Sequence, residues 1–96
     1  MNGAAGGATA EGERIMAKTK AFVLIETAVG KTKGVVSSLR EVEAVTSVDV
    51  VTGPYDVIAI IEADDLSSVG DAVTGSVHTI DGIQRTVTCL AVGGPG

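Results

Sequence analysis

Residues 52–62, Thr-Gly-Pro-Tyr-Asp-Val-Ile-Ala-Ile-Ile-Glu, restrict the fold more than any other stretch of this chain. A tight turn carrying one carboxylate runs straight into the unbroken apolar segment Val57–Ile61. Gly53 is free to take φ > 0, and Pro54 pre-sets φ for a turn. Asp56 therefore falls where a hairpin corner becomes a buried strand. A strand with no wet face suits a sheet covered on both sides. The corner offers free backbone N–H groups and an acid at the edge of an apolar wall. That is the chemistry of a small polar-ligand pocket or of a subunit contact, and by itself not that of a catalyst.

The flanking segments give the order of elements. Ala21–Thr27 is a compact apolar run and reads as a central strand. From Gly30 to Glu43 the period changes, with Val35, Leu39 and Val42 on one helical face and Lys31, Lys33, Arg40 and Glu41 on the wet side. Val45–Thr52 is β-branched and partly alternating, a second strand. Asp56–Glu62 is the third. Asp64 or Asp65 is suited to N-cap a second helix, whose stripe is Leu66, Val69, Val73, Val77 and Ile80. Asp81-Gly82 is a turn, and Ile83–Val92 alternates as a fourth strand. The result is β-α-β-β-α-β, an α+β ferredoxin-like sandwich. Right-handed crossovers put both helices on one face. The first and third strands are apolar on the other face too, so a second copy stacked sheet to sheet is expected, giving a dimeric αβ barrel.

Composition agrees. Hydrophobic residues make up 45% of the chain, but one Phe and one Tyr are the only aromatics, so the apolar mass is aliphatic and sheet-forming. The net charge of −5 disfavours stand-alone binding to phosphate backbones. The single Cys89 excludes an internal disulfide and a cysteine-based metal cluster, and points to the cytoplasm. No apolar run is long enough for a membrane span. Residues 1–17 are Gly/Ala/Thr/Glu-rich without apolar period and read as a disordered leader or expression remnant. They lack the basic start and apolar run of a signal peptide. The folded domain is expected over 18–93, with 94–96 a frayed tail. A core of this size is marginal alone, and oligomerisation is a common remedy.

The stretch from Ala21 to Asp65 resembles the effector-binding domain of the Lrp/AsnC feast/famine transcriptional regulators, often called the RAM domain. The likeness covers nearly all of 19–93. It includes the corner Gly53-Pro54-Tyr55-Asp56 and the fourth-strand run Arg85-Thr86-Val87-Thr88. The resemblance implies an αβ-sandwich dimer whose dimers assemble into larger rings, an octamer or a decamer. It also implies a small-molecule site, usually for an amino acid, between neighbouring dimers. Full-length members carry a helix-turn-helix domain ahead of this module. Seventeen Gly/Ala-rich residues cannot hold one, so a stand-alone effector domain is expected, acting on transcription only by mixed assembly with a full-length relative and not by touching DNA.

Each candidate residue carries two readings. Asp56 would hold a ligand ammonium, or it only caps its own turn. If it is a ligand group, Asp56→Ala weakens binding and leaves fold and dimer intact. Gly53 serves the turn's φ, and its missing Cβ also lets a ligand carboxylate approach. Tyr55 packs on the ligand or between subunits. Thr86 and Thr88 share one side of the fourth strand; they close the ligand cleft with hydroxyls or simply reflect β propensity. His78 is read as a helix-terminal histidine on the wet face, Cys89 as a small core residue, and Asp64-Asp65 as a cap pair rather than a metal site. No metal, cofactor or catalytic cluster is expected. The functions in play are a ligand-sensing, oligomerising module, a small dimeric αβ-barrel enzyme of the monooxygenase kind, and a purely structural ring former.

Overall fold

The computed structural model describes residues 18–92. The expectations for 1–17 and for the tail lie outside the described residues. Four strands and two helices follow in order: β1 Thr19–Thr27, α1 Thr32–Leu39, β2 Val45–Val50, β3 Val57–Ala63, α2 Leu66–Ala72 with a π-helical turn at Val73–Val77, and β4 Ile83–Leu90. The strands form one antiparallel sheet in the order β2-β3-β1-β4. This is the ferredoxin-like α+β arrangement.

Alternation sorts the two faces. In β1, Ala21, Val23, Ile25 and Thr27 are buried, and Phe22, Leu24 and Glu26 are half-buried. In β3, Val57, Ala59 and Ile61 are buried, and Ile58 and Ile60 are half-buried. The buried set packs against Val35 and Leu39 of α1 and Val69, Val73 and Val77 of the second helical segment. Both helices therefore cover one face.

The other face has no cover among the described residues. Register places Phe22, Leu24, Ile58, Ile60, Val87 and Cys89 together there. Charged groups rim this apolar strip: Lys20 lies 5.3 Å from the centroid of the Phe22 ring, and Arg85 Nε stands 3.9 Å from Glu26 Oε1. Cys89 is exposed, not a core residue. It is paired with Phe22, so its side chain belongs to the uncovered face of an edge strand.

The helices are shorter than their sequence patterns. The pattern for α1 runs from Gly30 to Glu43, but the helix ends at Leu39. Beyond it Glu41 N–H bonds Ser38 C=O and Val42 N–H bonds Leu39 C=O, each at 3.1 Å, so the last turn tightens and closes the helix. Asp65 N-caps α2, accepting from Ser68 N–H at 2.8 Å. That bond holds the Asp65 carboxyl below the usual carboxylate range. Leu66 leaves the expected stripe and is 58% exposed, because it lies in the first turn, ahead of the first buried residue, Val69. The helix then widens: His78 N–H donates to Val73 C=O, five residues back, at 2.9 Å. Among the described residues no helix is long and apolar enough to cross a membrane.

Candidate functional site

The turn between β2 and β3 is closed by backbone bonds. Val51 N–H donates to Asp56 C=O and Asp56 N–H to Ile25 C=O, both at 2.9 Å. Gly53 takes φ +139°, where a side chain is strained, and the space in front of its missing Cβ is open. The N–H groups of Thr52, Gly53 and Tyr55 find no backbone partner among the described residues. Tyr55 is half-buried.

Asp56 has a job inside the protomer. The β1–β3 ladder ends at the pair Ile25–Val57, which leaves the Thr27 N–H without a strand partner on that side. The Asp56 carboxylate supplies one: its Oδ2 accepts Thr27 N–H at 2.8 Å and the Thr27 hydroxyl at 3.2 Å. The Thr27 and Thr32 hydroxyls are 2.8 Å apart. Since the Thr27 proton goes to Asp56, Thr32 donates to Thr27. The corner thus ties the ends of β1 and β3 to the start of α1. Removing the carboxylate would orphan a buried N–H, so the expectation of an untouched fold in Asp56→Ala gives way to one of measurable destabilisation. The other oxygen, Oδ1, accepts no bond among the described residues, and Asp56 as a whole is half-buried.

Thr86 and Thr88 lie on the far side of β1. Ile25 pairs with both Val57 and Thr86, so the corner and Thr86 flank the same residue at one end of the sheet. Two strand spacings, roughly 10 Å, separate them. Within one protomer the structure does not bring Asp56 into contact with either threonine. Thr86 is bonded instead to His78, Oγ1 to Nε2 at 2.9 Å. Thr88 is exposed. Thr86 and Thr88 pair with Ile25 and Val23, so they share the helix-side face, Thr86 half-buried beside His78 and Thr88 exposed.

Three contributors escaped the sequence reading. Thr27 and Thr32 looked like ordinary strand and helix residues, and only the ladder's end makes them Asp56's partners. His78 carried a readable sign, its place at the helix terminus just before the fourth strand, but its aim at Thr86 depends on the π-helical turn. No group of three or more His, Cys, Asp or Glu residues is arranged to hold a metal ion among the described residues.

Known proteins bear on this geometry. Residues 20–93 match the model of the Lrp/AsnC ligand binding domain. FFRP-DM1 is 34% identical, with a TM-score of 0.74 over 77% of this chain and 99% of its own. A protein of Thermus thermophilus is 32% identical, with a TM-score of 0.77 over 81% of this chain and 98% of its own. A transcriptional regulator of Neisseria meningitidis, solved as a complex with L-Met, shares the fold at 16% identity and a TM-score of 0.72. The alignment covers 81% of this chain and 52% of that regulator, about half its length. Among curated proteins nothing matches.

Proposed function

The chain belongs to the Lrp/AsnC ligand-binding domain family, and we propose that it senses a small amino acid and tunes the assembly of a transcription regulator in the cytoplasm. The observation that carries this reading is the corner: open space at Gly53, N–H groups of Thr52, Gly53 and Tyr55 without a backbone partner among the described residues, and a carboxylate of which only Oδ2 is bonded among them. Backbone donors there suit a ligand carboxylate, and Asp56 Oδ1 suits its ammonium. The L-Met complex of the Neisseria regulator supports an amino acid as the ligand class.

One protomer does not complete such a site. The uncovered strip of Phe22, Leu24, Ile58, Ile60 and Val87 favours a dimer stacked sheet to sheet. Dimers then assemble into an octamer or decamer, with the Gly53–Asp56 corner of one dimer facing Thr86 and Thr88 of the next. The domain acts as a binding module rather than an enzyme and influences DNA only through a full-length relative.

Calorimetry with the twenty amino acids, alongside native mass measurement, tests the reading. Saturable binding without turnover and a ligand-dependent change in assembly are expected. A stable micromolar monomer would defeat the assembly. Assembled rings that bind none of the twenty would leave only a structural ring former.

A further inference from the structure

The outer edge of β4 holds a second polar cleft. Its volume is about 280 Å³, and it is lined by His78, Ile83, Gln84, Arg85 and Thr86. None of these is an acid, although the chain carries a net charge of −5. Every polar side chain in the lining is able to donate a hydrogen bond.

Backbone geometry adds a donor. Ala91 N–H donates to Lys20 C=O at 2.9 Å, which fixes the antiparallel alternation along this pair. Residues 85, 87 and 89 then point their backbone groups at β1, and residues 86 and 88 point theirs outward. The Thr86 N–H and side chain are presented at the same free edge. His78 is already oriented there, because the wide turn at Val73–Val77 brings its Nε2 to 2.9 Å from Thr86 Oγ1. When His78 Nε2 carries the proton, Thr86 accepts from it and turns its own O–H outward. Arg85 stands on the opposite face, its Nε 3.9 Å from Glu26 Oε1, and its side chain is largely exposed and long enough to swing round the edge.

We propose that this cleft binds the side-chain carboxylate of an acidic amino acid, with His78, Arg85 and Thr86 as its donors. The proposal rests on the amino-acid-sensing reading above, in which the corner of a neighbouring dimer takes the α-amino and α-carboxylate groups. It names the ligand class, the aspartate and glutamate type. The charged groups near this cleft are Arg85, with Glu26 as its partner on the opposite face, and Asp81, three residues after His78 and held by Lys31 at 3.2 Å. A ligand carboxylate beside the imidazole favours its protonated form, so binding tightens as pH falls through the histidine range.

Calorimetry on the full chain decides it, with L-glutamate and L-aspartate compared with L-glutamine and L-asparagine at pH 6 and pH 8. At pH 6 the acids are expected to bind about tenfold to hundredfold tighter than their amides, the gain of charge-assisted hydrogen bonds. The gap narrows at pH 8. Arg85→Gln removes most of the preference. His78→Gln keeps a donor for Thr86 but abolishes the pH dependence of the preference. Acids and amides binding alike, or a preference that both variants retain in full, would overturn the proposal and leave the amino-acid reading standing. Binding of none of the four would overturn this inference as well, and the amino-acid reading would fall with it only if none of the twenty binds.

Discussion

The corner at Asp56 and the outer edge at Thr86 flank the same residue, Ile25, yet they are built in opposite ways. At the corner the carboxylate closes on Thr27, and Thr27 on Thr32, so the motif that suggests a ligand site also holds three elements together. At the edge Thr86 is bonded to His78, and Thr88 is exposed. A polar residue that completes a ladder is tied to stability. One that hangs from an edge is free for a partner.

The difference predicts a graded set of outcomes. The largest effect belongs to Gly82→Ala, at the hinge that starts the edge strand. Gly82 takes φ +98°, and a Cβ there would stand 2.7 Å from the Lys31 Cβ. Backbone strain alone costs about 1–3 kcal/mol, and the overlap with α1 adds to it. Chemical denaturation should show a clear fall in the midpoint, and a wild-type midpoint would mean that the turn is loose. Next comes Asp56→Ala, which orphans the buried Thr27 N–H at a cost of about 1–3 kcal/mol. Asp56→Asn, which keeps an acceptor, should recover much of that loss. Equal stability of wild type and Asp56→Ala would erase the contrast between the two regions. Thr86→Val should change the unfolding free energy by no more than about 0.5 kcal/mol, as surface substitutions do. A larger cost would make the edge as structural as the corner. The smallest effect is at the Asp65 cap. Its carboxyl is held below the usual range, so its contribution is present at neutral pH and lost as pH falls through that lowered value. Acid titration of Asp65→Asn should show a slightly shallower loss than wild type.

Most of the fold was legible because its residues obey simple periods. Val57–Ile61 and Ala21–Ile25 are continuous apolar runs, and Val69, Val73 and Val77 keep a spacing of four, so strand order and helix faces followed. The boundaries did not, because α1 ends through tight turns after Leu39 that the pattern at Val42 conceals. Leu66 misled for a related reason: periodicity assigns a face but not how far the sheet extends under it. The site was legible as a list of residues and not as an arrangement. Asp56 and Thr86 were named together, but the partners that separate their behaviour, Thr27 and His78, are set by where a ladder stops and where a helix widens.

The alternation along β4 also gives this molecule a clock. Amide protons at 85, 87 and 89 are locked against β1, a strand flanked on both sides, and should exchange with solvent only through large openings. Those at 86 and 88 face outward and should exchange within the fastest class. The edge strand therefore carries a slow-fast-slow-fast pattern along consecutive residues. A ligand or neighbouring subunit seated on that edge would slow residues 86 and 88 and leave 85, 87 and 89 unchanged. Occupancy would be read one residue at a time, without any change in overall shape.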